Sequence, residues 1–128
     1  MPQEQLSAAP VVLIVENDVL LRLVTASNPC DAGFGVIEAA NAAEALRVLD
    51  RVPVDVLFSD IDIPGNIDGL ALAQWVHRSQ ADTRIILTSS TARTPGDVEE
   101  YASFLPKPYA EKDVERLLRS VLPSSQGE

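Results

Sequence analysis

The chain has a single cysteine, Cys30, and a single histidine, His77. One cysteine cannot close an intramolecular disulfide, which excludes a disulfide-stapled scaffold and fits a reducing, cytoplasmic setting. Its thiol reads as inert and partly buried rather than reactive. One histidine leaves no second imidazole to pair with as catalyst or ligand, so His77 reads as an exposed helix residue. Basic side chains are scarce: 10 Lys and Arg stand against 19 Asp and Glu, a net charge of −9. Nucleic acid and anionic membrane surfaces both call for basic patches, so neither is expected as a partner, whereas another protein is. No apolar run approaches the ~20 residues of a membrane span. Residues 1–10 lack a basic region followed by an apolar one, so no signal peptide is expected. No internal repeat or linker interrupts the chain.

What is present is ordinary globular composition, 46% apolar and 23% charged over 128 residues. That suits one domain with a single core, expected over 10–122 with residues 1–9 and 123–128 as flexible ends. Short apolar runs bounded by turn residues read as buried strands: Val11 to Val15, Val36 to Ala39, Val54 to Asp60, Arg84 to Thr88, and Phe104-Leu105. Helices are expected between them. The first follows an Asp18 N-cap with Leu20, Leu21 and Val24 inward, and ends or kinks near Asn28 because Pro29 cannot continue it. The second, Ala42 to Leu49, is capped by Asn41 and turns Ala45, Leu46 and Leu49 inward. The third carries Leu70, Ala73 and Val76, with Trp75 as a packing residue. A short fourth opens at Thr94-Pro95. The last spans Ala110 to Val121, with Val114, Leu117, Leu118 and Val121 inward. Alternating strands and helices predict an α/β fold, a doubly wound parallel sheet with five helices covering both faces.

Polar residues end the strands: Glu16 and Asn17 after the first, Asp60 after the third, Thr88, Ser89 and Ser90 after the fourth, Lys107 after the fifth. Open α/β sheets bind ligands at that carboxyl rim. Asp60 on its own is a nucleophile, a metal ligand, or a cap on the Pro64-Gly65 turn. Carboxylates gathered on one rim suit a hard divalent cation such as Mg²⁺. With a lysine and a hydroxyl nearby, the cluster could hold a phosphoryl group and make Asp60 its acceptor.

Val-Glu-Asn-Asp after strand one, Asp-x-x-x-Pro-Gly after strand three, Thr-Ser after strand four and Lys-Pro after strand five together resemble a bacterial response-regulator receiver domain, over about residues 10–122. The resemblance implies a flavodoxin-like five-stranded parallel sheet of order 2-1-3-4-5. It implies Asp60 as phosphoacceptor, Mg²⁺ held by Glu16, Asn17, Asp60 and the backbone carbonyl of Asp62, and Lys107 contacting the phosphoryl group. Thr88 and Phe104 match the switch hydroxyl and aromatic, Ser89 and Ser90 lie close to the phosphoryl group, and the Lys107-Pro108 bond is typically cis. Implied partners are a histidine kinase or histidine phosphotransfer protein and an unknown protein target. Asp97, Glu99 and Glu100 beside Arg116 and Arg119 offer a homodimer or partner face, or simply a solvated one. No output domain follows Val121, so the chain reads as a stand-alone receiver; the start of a longer protein is the alternative.

One departure bears on chemistry. The family usually carries an acid where Asn17 stands, so Mg²⁺ binding should be weaker. The alternative is a degenerate receiver, a phosphorylation-independent interaction module. A phosphatase of the haloacid dehalogenase type, suggested by Asp60-Ile61-Asp62, is disfavoured because that motif normally follows a first strand.

Overall fold

Five strands, each built on one of the short apolar runs, form one parallel sheet in the order β2-β1-β3-β4-β5. They are β1 (Val11–Val15), β2 (Gly35–Ala39), β3 (Val56–Asp60), β4 (Arg84–Ser89) and β5 (Ala102–Pro106). The computed structural model describes residues 9–91 and 96–123. Four α-helices connect the strands: α1 (Val19–Asp31), α2 (Ala42–Arg51), α3 (Gly69–Ser79) and α4 (Glu111–Val121). The chain therefore has the flavodoxin-like order read from its sequence, with four α-helices rather than five among the described residues. Where a fourth of five was expected there is one 3₁₀ turn, Val98–Glu100. The Thr94-Pro95 start lies outside the described residues. Val98 is the one buried residue of that turn, too little apolar surface to hold a longer helix against the sheet.

Side-chain alternation along the strands splits the core into two layers. Leu13, Val15, Leu57, Ile85 and Leu87 face α2 and α3, where they meet Leu49, Leu72 and Val76. Val12, Ile14, Val56, Phe58 and Ile86 face the other way, toward α1 and α4, and pack with Ala26, Val114 and Leu118. β3 is central and buried throughout, which is why it opens on the unbroken apolar run Val56 to Phe58 rather than an alternating one. β2 begins after a turn in which Gly33 adopts a φ of 97°, a conformation that costs glycine little.

The caps follow the sequence. Asp18 accepts from Leu21 N, Asn41 from Glu44 N and Asp68 from Ala71 N. At α2 the Glu44 side chain also reaches back past the cap, since its Oε1 accepts from Ala40 N at 2.7 Å. Helix α1 departs from expectation twice. It continues through Pro29 to Asp31, because the proline lies in its last turn and withdraws only one internal hydrogen bond. Its inner face is Thr25, Ala26 and Pro29, whereas Leu20 and Val24 are exposed and Leu21 half-buried. The small residues go inward because Thr25 and Asn28 bond to the segment that opens α4. Cys30 is exposed, not partly buried. His77 is exposed as read, and its ring stacks on Tyr101 with centroids 3.9 Å apart. Trp75 packs against the core.

Candidate active site

Parallel register brings the strand ends together. Asp60 lies opposite Thr88, Ile61 N donates to the Thr88 carbonyl, Lys107 N to that of Ser89, and Glu16 N to that of Ala39. Four polar side chains thus share one rim. The Glu16 and Asp60 carboxylates are both buried, and the Lys107 ammonium bridges them, 3.0 Å from Glu16 Oε1 and 2.9 Å from Asp60 Oδ2. The remaining oxygens take backbone donors: Asp18 N to Glu16 Oε2 and Asp62 N to Asp60 Oδ1, each at 3.0 Å. Burial alone would lower the Lys107 pKa. Hydrogen bonds to Asp60 and Glu16 and the charges of both carboxylates outweigh it and hold the ammonium above its usual range.

Thr88 is buried, and its hydroxyl is without a hydrogen-bond partner among the described residues. A buried unpaired hydroxyl costs ~1–3 kcal/mol. A donor left open beside an ammonium and a carboxylate is a place where an anionic oxygen gains on arrival. Ser89 is buried next to it and donates to Asp62 Oδ2 at 3.2 Å. Asn17, Asp62 and Ser90 are exposed at the rim. Phe104 is half-buried and packs against the core layer that holds Leu57 and Leu87. The Lys107-Pro108 bond is cis.

For a cation the donor set is right in kind and short in charge. Glu16 and Asp60 supply carboxylates, Asn17 an amide and Asp62 a carbonyl, all hard oxygen donors of the type Mg²⁺ takes. No group of three or more acidic, His or Cys side chains suited to a metal ion occurs among the described residues. One ammonium already shares both carboxylates.

Three residues that position this site carry no motif. Arg22 is the one charge within Val19 to Ala26; its Nη1 donates to the Glu16 carbonyl at 2.8 Å and its Nε to Glu38 Oε1 at 3.1 Å. A lone charge in an apolar stretch is the signal that could have marked it. Gly69 opens α3 against the Asp60-Ile61 backbone, where a Cβ would stand 2.6 Å from Ile61 Cα. Tyr109 reaches from the loop after Lys107 to Thr25 on α1. On α4 the exposed Arg116 pairs with Asp113 and Arg119 with Glu115. No helix among the described residues is long and apolar enough to cross a membrane.

Comparison with known proteins places these features. The sequence profile of the response regulator receiver domain matches residues 12–119. The sensor kinase CckA of Brucella abortus is 29% identical over 125 residues, covering 91% of this chain and 13% of its own length. The C4-dicarboxylate transport transcriptional regulatory protein DctD of Rhizobium meliloti is 34% identical over 119 residues, covering 90% of this chain and 25% of its own length. The chain thus spans a quarter or less of those two relatives. Among solved structures, the response regulator TrrA of Thermotoga maritima, in complex with Mg(2+)-BeF, superposes with a TM-score of 0.80 at 22% identity, over 88% of this chain and 99% of that one.

Proposed function

The chain belongs to the response regulator receiver domain family, and from that premise we propose that Asp60 accepts a phosphoryl group in two-component or phosphorelay signalling. The observation that carries the reading is the pair of buried carboxylates bridged by Lys107 beside the Thr88 hydroxyl, unpaired among the described residues. The donor is a phosphohistidine of a histidine kinase or phosphotransfer protein. An Asp60 carboxylate oxygen forms the new bond to phosphorus as the bond to the histidine nitrogen breaks, and that electron pair leaves with the imidazole. Lys107 and the Thr88 hydroxyl then donate to phosphoryl oxygens, while Ser89, small and buried, leaves room for them. Glu16, Asn17, Asp60 and the Asp62 carbonyl would hold Mg²⁺, which supplies charge neutralisation for the group in transit. Movement of Thr88 toward the phosphoryl group, with Phe104 following, biases an inactive–active equilibrium read by a protein target.

The donor protein meets a surface beside the rim that is unusually apolar. Val19, Leu20, Leu23 and Val24 on α1 are all more than half exposed, and an apolar surface of that kind marks a protein contact. On this reading the chain performs one stoichiometric transfer in the cytoplasm and is not a turnover enzyme. Steady hydrolysis of a phosphate ester, abolished by Asp62→Asn, would revive the phosphatase alternative.

Asn17 favours a second reading, a receiver whose weakened metal site leaves it an interaction module independent of phosphorylation. Intact mass after acetyl phosphate, with and without Mg²⁺, separates the two. A Mg²⁺-dependent phosphoryl adduct in the parent, lost in Asp60→Asn, is the expected result. An adduct seen only in Asn17→Asp would favour the interaction module.

A further inference from the structure

Lysine carries a flexible four-carbon stem with ~2 kcal/mol of rotamer entropy, so an ammonium that bridges two carboxylates needs its backbone held. On one side Lys107 is held by its own N–H, donated to the Ser89 carbonyl at 2.9 Å. On the other side Pro108 has no N–H to offer, and the next anchor is Tyr109. Its ring stands edge-on to Phe58, with centroids 5.8 Å apart at 79°, and Phe58 lies two residues before Asp60 on β3. Its hydroxyl lies 2.8 Å from Thr25 Oγ1, and Thr25 is buried on α1. Burial pushes the Tyr109 phenol up, the bond to Thr25 pulls it down, and the charges of Glu16, Lys107 and Asp60 all reach it. The phenol therefore stands in the field of the site as well as beneath it.

We propose that Tyr109 is a positioning residue for Lys107: its hydroxyl, bonded to Thr25, fixes the loop after β5 against α1 and so holds the ammonium between Glu16 and Asp60. Phe58 packing holds the ring, and the hydroxyl ties the loop to α1 two residues before Glu111, where Asn28 Nδ2 makes a second tie to the backbone. Removing it also leaves Thr25 Oγ1 buried without this partner. The kinetic consequence, slower transfer to Asp60, rests on the phosphoacceptor reading; the placement of the ammonium does not.

The sequence has two lysines, Lys107 and Lys112, and Lys112 is exposed. The proton exchange of each side-chain ammonium can therefore be followed by ¹⁵N NMR in the full chain, without metal or phosphoryl donor. Tyr109→Phe and Thr25→Val should each speed Lys107 ammonium exchange about fivefold, the worth of one ordinary hydrogen bond. Lys112 and the β-sheet amides should not change, the double variant should be no faster than either single one, and Thr25→Ser should match the parent. Unchanged Lys107 exchange in Tyr109→Phe would overturn the proposal. So would Thr25→Ser behaving like Thr25→Val, since a lost methyl contact would then explain the effect. Phosphorylation by acetyl phosphate should slow by a similar factor in Tyr109→Phe. A parent that takes no phosphoryl group from acetyl phosphate or from a phosphohistidine donor refutes the acceptor reading, and the ammonium exchange still decides the role of Tyr109.

Discussion

Asn17 sits at the rim next to two carboxylates that share a single ammonium, and its neutrality has a consequence in each direction. Without a cation, a third carboxylate there would add repulsion that Lys107 alone does not cancel. With Mg²⁺ present, it would add the charge a hard cation prefers. Asn17→Asp should therefore melt below the parent in a chelator and gain more from Mg²⁺. A ligand at about 100 times its Kd adds ~2.7 kcal/mol to the folded state, so the two melting curves should separate clearly in millimolar Mg²⁺. Equal Mg²⁺ responses in thermal melts would show that the amide already serves as well as an acid. Glu16, Asp60, Thr88 and Lys107 were legible in the sequence because each ends an apolar run, and parallel strands gather their ends on one rim. Tyr109 and Arg22 were not. The partner of Tyr109 is 84 residues away, and no local pattern encodes such a pairing.

Helices show where local pattern suffices and where packing decides. Helix α2 separates apolar from charged positions cleanly, and its cap, its start and its buried residues Ala45 and Leu49 stand as read. Helix α1 opens with five apolar residues among its first six, so periodicity has no phase to offer, and contact with the α4 segment selects Thr25, Ala26 and Pro29 instead. Helix α3 holds the sharper test. Gly69→Ala should gain helix propensity, up to ~1 kcal/mol. Its new Cβ, however, would meet the backbone of Asp60 and Ile61, and backbone cannot rotate away as a side chain can. Overpacking of this kind costs ~1–3 kcal/mol, so clash should win over propensity. The urea midpoint is expected to fall, and the Asp60 amide resonance to move more than those of β1. A midpoint equal to or above the parent's would mean that α3 can slide from the strand end freely, and that Gly69 does not fix Asp60.

At the scale of the whole molecule, alkaline pH should undo what acid-rich composition and one bridging lysine set up. Lys107 keeps its proton more tightly in the fold than its ordinary pKa of about 10.4 would allow. Its contribution is complete below that value and is lost as pH rises through the higher folded pKa, because the unfolded chain gives up the proton first. Tyr101 and Tyr109, raised first of all by burial, act in the same direction: their phenols stay neutral in the fold while those of the unfolded chain ionise from about pH 10. All three losses fall in one window, and each adds negative charge to a chain already at −9. Stability from urea titrations should be nearly flat between about pH 7 and 9 and fall steeply above about pH 10. Lys107→Met should start lower, because removing one partner leaves Glu16 and Asp60 buried without their shared cation, a loss of ~3–5 kcal/mol for a buried pair. It should then decline less steeply above pH 10, having no bridging proton to lose. Parallel slopes for parent and variant would mean that the alkaline loss belongs to the tyrosines and general repulsion, and that the bridge at Asp60 does not couple the site to the stability of the fold.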